Sequence, residues 1–186
     1  MNALGERVID LCKEATSEPV IAAPFIKAAT LSRLIAGGKP EVSIVCCTHW
    51  ISEEIACGIT DVEVWDVLKS RPNCKLYLRS NLHAKYYCAD TRCLVGSANG
   101  TAAALGWRPD SNLESRTSLD SSVFIEFESG MLETAILVDD SLYEAVREFA
   151  RQLRCLIRKI GCKSLKKSAL WFYMHLQGLK LLTALG

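Results

Sequence analysis

The chain has 186 residues, of which 49% are hydrophobic and 23% are charged, and its formal net charge is +1. This length favours one domain with at most a short appendage, which excludes an arrangement of several large domains. The apolar content is ample for a buried core.

The charges are unevenly distributed along the chain. Nine of the 22 basic residues but only one of the 21 acidic residues, Glu148, lie from Arg147 onward. The rest of the chain therefore carries 13 basic and 20 acidic residues. Such asymmetry indicates that the C-terminal segment contacts an anion: nucleic acid, a membrane surface or the acidic body of the protein itself.

The C-terminal segment is predicted to be a separate part of the chain. We expect residues 1–150 to form the main domain and residues 151–186 to be a basic helical extension that packs on it. Residues 168–186 are apolar, but they are too short and too polar to span a membrane. An alternative is a basic surface helix that contacts DNA or a membrane.

The cysteine pattern bears on the compartment. There are nine cysteines without any C-x-x-C pair, and the three histidines do not cluster with them. An odd number without metal-ligand spacing predicts free thiols in a reducing compartment and argues against a zinc site. The N-terminus carries Glu6 and Asp10 and lacks a long apolar core, unlike a signal peptide. We therefore expect a cytoplasmic protein.

In chain order, apolar periodicity and turn residues first predict strands that alternate with helices. The stretch over residues 41–48 is the clearest buried strand, because its apolar run is nearly continuous. Asp61 is placed to cap the helix that follows it. The predicted elements are a helix over residues 3–15, a strand over 20–25, a helix over 26–36, a strand over 41–48, helices over 52–56 and 61–68, and a strand over 74–78. This alternation predicts an α/β sandwich.

Beyond residue 100 the pattern is helical. Residues 101–105 are predicted to open a helix whose N-terminus would offer backbone N–H donors to an anion. A helix over residues 123–135 has an apolar face that fits the core or a dimer interface. A further helix is predicted over residues 142–160, with Asp139 or Asp140 as its cap.

The most informative stretch lies between residues 82 and 99 and reads LHAKYYCADTRCLVGSAN. It predicts a strand, a tight turn and a returning strand. Residues two apart on a strand point to the same face, so His83 and Lys85 are predicted to project together. Ser97 and Asn99, again two apart, would aim at the same point. A nucleophile, a fixed cation and two neutral hydrogen-bond donors at one point are what transfer of a phosphate group requires.

The spacing H-x-K-x4-D, followed by G-S-x-N, resembles the HKD motif of the phospholipase D superfamily. The order of elements from Pro19 to Phe149 is also similar to that of small bacterial HKD nucleases related to restriction enzymes. The resemblance implies a phospholipase D-like mixed sheet sandwiched between helices. Since no Asp and Glu cluster with metal-ligand spacing is evident, we expect catalysis without a metal ion or other cofactor.

The resemblance also implies roles for the motif residues. His83 is the nucleophile that attacks phosphorus and forms a covalent phosphohistidine. Lys85, Ser97 and Asn99 hold the phosphate oxygens and stabilise the five-coordinate state. Asp90 is given a supporting role, in which it orders the turn or offsets the charge of Lys85, and an ordinary turn aspartate is the alternative.

A carboxylate is expected beside the catalytic histidine, because the family places one at the position of residues 112–114. Glu114 is the candidate to accept a hydrogen bond from the non-reacting ring nitrogen of His83, which would fix its tautomer. A solvated loop glutamate is the alternative, and the SRTSLDSS that follows departs from the apolar strand usual in the family. The other candidates for this role are Glu126, Glu128 and Glu133.

Cleavage of a diester also needs a second proton carrier, which protonates the leaving oxygen and later deprotonates water. The chain has one HKD motif, and His49, at the end of a predicted strand, could in principle serve. The resemblance instead implies a homodimer that brings two His83 side chains together, titrating as a coupled pair.

The motif does not determine which class of phosphodiester is the substrate, because DNA and a phospholipid present the same reacting centre. The similarity to restriction-type nucleases favours DNA, so we expect a DNA endonuclease. The acidic main body argues mildly against tight DNA binding, so a separate specificity subunit is a possible partner. The alternatives are a phospholipid-cleaving hydrolase and a catalytically silent binding subunit.

Overall fold

The computed structural model describes residues 4–107, 118–120 and 135–160 of the chain. The described helices are α1 (Leu4–Glu14), α2 (Ala28–Ile35), α3 (Ser52–Ala56), α4 (Val64–Lys69) and α5 (Asp140–Ile160). The described strands are β1 (Val20–Ala22), β2 (Val45–Thr48), β3 (Lys75–Leu78), β4 (Tyr86–Ala89), β5 (Arg92–Val95), β6 (Ser118–Asp120) and β7 (Ile136–Leu137). Strands and helices alternate as far as β3, in agreement with the predicted order.

The described strands form one sheet in the order β6-β5-β4-β1-β2-β3-β7. Strand β2 pairs in parallel with β1 and with β3, and the remaining pairs are antiparallel. The sheet is therefore mixed, with three parallel strands side by side. Helix α2 connects β1 to β2, and α3 and α4 connect β2 to β3, as parallel neighbours require.

Side chains alternate between the two faces of the sheet, as strand geometry requires. One face contributes Ile21, Cys46, Leu76, Tyr87 and Leu94 to the large core, which contains buried residues from all five described helices. The other face carries a smaller cluster, to which Leu82 contributes from the segment before β4. The strand residues of this second cluster are Val20, Ala22, Val45, Cys47, Tyr86 and Cys93.

Strands β1 and β2 are shorter than predicted. Pro24 cannot donate a ladder hydrogen bond, and the strand conformation of β1 ends before it. Before β2 the chain forms a turn, in which the Val42 N–H donates to the Lys39 carbonyl at 3.2 Å. The Arg71 guanidinium also donates to the carbonyl oxygens of Lys39 and Val42.

Asp61 does not cap its own helix as predicted. Helix α4 begins three residues later, at Val64, with Glu63 at its N-cap position. The Asp61 carboxylate instead accepts a hydrogen bond from the backbone N–H of Ala28 at 3.0 Å, at the start of α2. It also forms an ion pair with Lys27 at 2.6 Å. The aspartate is thus a capping residue, but for a helix more than thirty positions earlier.

The predicted helix over residues 101–105 is also absent. Residues 101–106 form consecutive turns, in which Leu105 N–H donates to the Thr101 carbonyl at 3.0 Å. Gly106 then has a φ of 77°, a conformation that glycine adopts without steric cost. A single turn of this length does not provide the predicted anion-binding helix terminus.

Helix α5 confirms the last predicted cap. Asp139 Oδ1 accepts a hydrogen bond from the Leu142 N–H at 2.7 Å. The helix runs without interruption through residue 150, where the predicted domain boundary lies, and residues 161–186 lie outside the described residues. None of the described helices is both long and apolar enough to cross a membrane. The predicted division into a domain and an extension stays a prediction.

The cysteines correct one expectation. Cys88 on β4 and Cys93 on β5 are cross-strand partners with Cα atoms 4.2 Å apart, and they form a disulfide. The prediction that all cysteines are free is therefore wrong for this pair. It holds for the other described cysteines, which are Cys12, Cys46, Cys47, Cys57, Cys74 and Cys155.

Candidate functional site

Four of the motif residues, His83, Lys85, Ser97 and Asn99, lie at one edge of the sheet, where β4 begins and β5 ends. Tyr86 pairs with Val95, and the Gly96 N–H donates to the Lys85 carbonyl at 3.2 Å. Strand β1 is antiparallel to β4, with Ala22 opposite Tyr86. The carboxyl ends of β1, β2 and β3 therefore lie at this same edge, which is where ligands commonly bind in sheets with parallel strands.

His83 and Lys85 precede β4 rather than lie on it, so the predicted strand conformation of this pair is wrong. His83 is exposed and Lys85 is partly buried. The Lys85 ammonium donates to the His83 carbonyl at 2.8 Å, which ties the two residues together. Burial lowers the pKa of Lys85 below its ordinary value. A cation that is partly desolvated in this way interacts more strongly with an anion than a fully hydrated one does.

Ser97 and Asn99 lie on a loop that is held in place by hydrogen bonds to other parts of the chain. Ala98 is buried, and its carbonyl accepts a hydrogen bond from the Tyr87 hydroxyl at 2.9 Å. Asn99 Oδ1 accepts from the Phe25 N–H at 3.4 Å. With Ala98 fixed inward, Ser97 is exposed and Asn99 is partly buried at the edge where Lys85 lies.

Gly100 fixes the end of this loop. Its N–H donates to the Phe25 carbonyl at 2.9 Å, and its own carbonyl accepts from the Lys27 N–H at 2.9 Å. A Cβ atom at Gly100 would lie 3.1 Å from the Ile26 side chain, which is tighter than an ordinary contact. The glycine is thus needed because two backbones approach closely here.

Asp90 lies at the opposite end of the hairpin from His83. It is the first turn residue, with a φ of 53°, and the length of β4 separates it from Lys85. Its carboxylate accepts hydrogen bonds from the backbone N–H and the hydroxyl groups of Thr16 and Ser17, at 2.7 to 3.2 Å. Of the two supporting roles predicted, the geometry agrees with ordering of the turn and does not agree with offsetting Lys85.

The hydrogen bonds to Asp90 also act on its acidity. The Ser17 hydroxyl, followed by the backbone and hydroxyl of Thr16 and the Ser17 N–H, lowers the pKa of Asp90 to about 2. Nearby, Arg92 and Glu14 form an ion pair at 2.8 Å. The tip of the hairpin is therefore attached to the C-terminal end of α1.

The predicted carboxylate partner of His83 falls on a part of the chain outside the described residues. Glu114 lies outside the described residues, and so do the alternatives Glu126, Glu128 and Glu133. Within residues 4–107, 118–120 and 135–160, no group of three or more His, Cys, Asp and Glu side chains is arranged to hold a metal ion.

His49 follows β2 at the same edge of the sheet, and its residue surface is 6% exposed. Its Nε2 lies 2.8 Å from Oε2 of Glu54 on α3, and both ring nitrogens are shielded from solvent. Burial lowers the pKa of His49 below its ordinary value, the Glu54 carboxylate acts against this, and the Lys85 ammonium adds to it. In this conformation His49 offers no ring nitrogen to a substrate, so the geometry does not favour it as the second proton carrier.

Glu54 is a residue of this region that the sequence pattern does not single out. The available signal was a glutamate five positions after His49, in the short predicted helix that follows the buried strand. A spacing of five positions does not place the two residues on the same face of a strand or of a helix. The pairing therefore depends on how α3 folds back over the end of β2, which local periodicity does not report.

Comparisons with known proteins address the fold. No protein-family model matches the chain, and no curated protein matches it. The chain is similar to NucT from Helicobacter pylori, with a TM-score of 0.51 and 17% identity, covering 70% of this chain and 88% of that chain. It is also similar to Nuc from Salmonella typhimurium, a phospholipase D family member, with a TM-score of 0.55 and 16% identity, covering 73% and 90% of the two chains. The predicted phospholipase D-like α/β fold is confirmed.

Proposed function

We propose that the chain is a phosphodiesterase, that its substrate is DNA and that His83 is its nucleophile. The observation that supports this most directly is the meeting of the His83–Lys85 segment with the Ser97–Asn99 loop at one edge of the sheet. Further support comes from the fold that the chain shares with Nuc, a phospholipase D family member.

In the proposed first step, a ring nitrogen of neutral His83 attacks phosphorus. A P–N bond forms as the P–O bond to one alcohol breaks, and the leaving oxygen takes a proton from a second acid. Lys85, Ser97 and Asn99 stabilise the charge on the phosphate oxygens. In the second step water attacks phosphorus and returns its proton to the same group, while the P–N bond breaks and frees His83.

The second acid is proposed to be His83 of a second copy of the chain. Among the described histidines, His83 is exposed, whereas His49 is buried against Glu54. A site on a two-fold axis places each residue opposite its own copy. A homodimer thus provides a nucleophile and an acid on opposite sides of one phosphate.

DNA is the proposed substrate because of the resemblance of the sequence to restriction-type HKD nucleases. Nothing in the proposed chemistry depends on the alcohol groups of the diester, so sequence recognition by a separate subunit is compatible with it. We propose a cytoplasmic location, because the described cysteines other than Cys88 and Cys93 are free thiols, as is usual in a reducing compartment.

The test is cleavage of DNA and of bis(4-nitrophenyl) phosphate in the presence of EDTA. We expect cleavage to persist, because the nucleophile and the proton carriers are side chains. His83→Ala should lower kcat by at least about 10³-fold, and Lys85→Ala by about 10²-fold or more. Lys75→Ala is the matched control, since Lys75 is an exposed lysine at the amino end of β3, and it should retain activity.

Three outcomes would change the proposal. Loss of all cleavage in EDTA, with recovery on addition of Mg²⁺, would exclude the phosphohistidine mechanism. Hydrolysis of phospholipid without cleavage of DNA would show that the substrate is a phospholipid and not DNA. Binding of DNA without cleavage of any diester, unchanged in His83→Ala, would identify a silent binding subunit.

A further inference from the structure

His49 and Glu54 form a buried pair that the proposed chemistry does not use. Nε2 of His49 lies 2.8 Å from Oε2 of Glu54, and among the described residues neither ring nitrogen of His49 has a partner in good hydrogen-bond geometry. A buried polar atom left without a partner costs about 1–3 kcal/mol. Such a group in a native protein calls for an explanation, and a functional role is one of them.

Two contacts connect this pair to the residues proposed to hold the phosphate. The His49 ring makes an edge contact with the Phe25 ring, with centroids 5.3 Å apart. Phe25 in turn donates its N–H to Asn99 Oδ1 at 3.4 Å. The Lys85 ammonium lies close enough to His49 to act on its ionisation. The pair is therefore linked to Asn99 through Phe25, and it lies within electrostatic reach of Lys85.

We propose that His49, held by Glu54, takes up a proton when a phosphodiester anion binds beside Lys85. The surroundings of Lys85 then become more positive as the anion binds, while the anion itself is in contact with Lys85, Ser97 and Asn99. This inference rests on the proposed function, because it takes the anion site from it.

The sign of the effect follows from the charges around His49. In the empty site burial and Lys85 both lower the pKa of His49, so the imidazole is mostly neutral at pH 7. A bound anion offsets the Lys85 charge and adds a negative charge of its own, which raises the pKa of His49. The charged and titratable groups on the elements around His49 are Glu54 on α3, Arg79 after β3, and His83 and Lys85 before β4.

Proton uptake makes anion affinity depend on pH. When binding takes up one proton, affinity rises by up to about tenfold for each unit that the pH falls, and it levels off once His49 is protonated in the empty site. His49 is a positioning residue in this scheme. It does not touch the substrate, and it acts through the electrostatic field at Lys85 and the packing of Phe25 under Asn99.

The experiment uses full-length protein with His83→Ala, which prevents turnover and removes the titration of His83. The probe is bis(4-nitrophenyl) phosphate, whose single negative charge is constant between pH 5 and pH 9, roughly the range in which histidines titrate in proteins. Calorimetry in two buffers of different ionisation enthalpy measures the protons taken up per bound diester. We expect uptake that approaches one proton, and affinity that rises as the pH falls.

The comparison variants separate His49 from the rest of the site. Adding His49→Gln to the His83→Ala protein should abolish the uptake and flatten the pH dependence of affinity. Adding Glu54→Gln should reduce the uptake at pH 7, because the neutral amide no longer favours the imidazolium. Glu18→Gln is the matched control, since Glu18 accepts a hydrogen bond from Ser43 at 2.6 Å near the opposite end of the sheet.

Each outcome is decisive. Equal proton uptake with and without His49 would overturn the inference while the proposed function stands. Failure of the diester to bind at all would overturn the proposed function, and the inference with it. If His49→Gln does not fold, NMR titration of His49 in the His83→Ala protein decides the question: its pKa must rise when the diester is added, and an unchanged pKa would overturn the inference.

Discussion

At the scale of single residues, Asp90 shows how a motif position can serve the fold rather than the chemistry. Its carboxylate binds two residues that follow α1, and it lies at the far end of β4 from His83. The aspartate is exposed, so its charge is screened by solvent, and the value of its hydrogen bonds is modest. It nevertheless attaches the hairpin that carries the site to the first helix.

We expect Asp90→Ala to lower the free energy of unfolding by about 1–2 kcal/mol at pH 7. The folded pKa of Asp90 is about 2, below its ordinary value of 3.8, so its stabilisation is present above about pH 4 and is lost as the pH falls towards 2. Urea denaturation at pH 7 and at successively lower pH measures this. The difference between wild type and variant should shrink on acidification.

Asp10→Ala provides the control for this prediction, because Asp10 is an exposed aspartate on α1. It should change stability by less than about 0.5 kcal/mol, as surface substitutions usually do. A difference for Asp90→Ala that persists unchanged at pH 2.5 would show that its carboxylate charge is not what stabilises the turn.

At the scale of elements, the β4–β5 hairpin was predictable because its information is local. Tyr86, Tyr87 and Cys88 favour a strand, and the turn residues follow directly in the sequence. With Asp90 and Thr91 as the two turn residues, the register places Cys88 opposite Cys93. The disulfide is therefore implied by the hairpin register, whereas the number of cysteines and their metal-ligand spacing do not report a cross-strand pair.

Other elements were not predictable, because the groups that decide them are distant in sequence. Asp61 has the pattern of an N-cap, yet its oxygens are taken by Lys27 and Ala28. The pairing of Glu54 with His49 likewise depends on the packing of α3. Local sequence patterns show what kind of group a side chain can bind, whereas the group that it does bind depends on the tertiary structure.

Helix α5 bears on the predicted basic extension. Three arginines of this helix lie beside glutamates: Arg147 beside Glu144 at 3.6 Å, Arg151 beside Glu148 at 2.7 Å and Arg154 beside Glu63 at 3.8 Å. Charges that are balanced in this way add little to the attraction of an anion. We therefore expect a net basic contact of this segment to come from the basic residues that follow Arg154.

We expect truncation after Ile160 to weaken binding to nonspecific DNA and to flatten its dependence on salt. Each phosphate contact that is lost should reduce the slope of log K against log salt by about 0.9. Filter binding or fluorescence anisotropy from 50 to 200 mM salt, the range in which such contacts are resolved, measures the slope. Arg151→Gln in the full chain is the matched control and should leave the slope nearly unchanged.

If the truncated chain gives no soluble folded protein, residues 161–186 belong to the core, and the anion-contact hypothesis is wrong. An unchanged salt slope in a folded truncated chain would also contradict it. In that case the acidic body of the protein is the partner of the basic segment.

At the scale of the whole molecule, the described residues offer one accessible histidine to the proposed site. His83 supplies an exposed imidazole, and both ring nitrogens of His49 are shielded from solvent. We therefore expect the second proton carrier to come from a second copy of the chain across the site. The requirement for two proton carriers does not depend on the identity of the diester.

Mixing His83→Ala chains with wild-type chains tests this requirement. When one shared site needs both His83 side chains, heterodimers are inactive, and activity should fall as the square of the wild-type fraction. The measurement is cleavage of bis(4-nitrophenyl) phosphate after the chains have exchanged. Mixtures of Asp10→Ala with wild-type chains, as a control, should show no loss.

A linear fall of activity with the wild-type fraction would show that one chain suffices. An active monomer in sedimentation velocity would show the same. Either result would require another group in the same chain to carry the proton.

The attachment of the Ser97–Asn99 loop to the segment after β1 has a consequence for folding. Asn99 binds Phe25, which is 74 positions earlier, and β4 pairs with β1 across a similar separation. Contacts so distant in sequence close a long loop, and their entropic cost makes them form slowly. On a growing chain, strands β1, β2 and β3 can assemble before the hairpin that follows residue 80 has been synthesised. The site is therefore completed only after the last motif residue has been synthesised, and the proposed activity is absent from partly made chains.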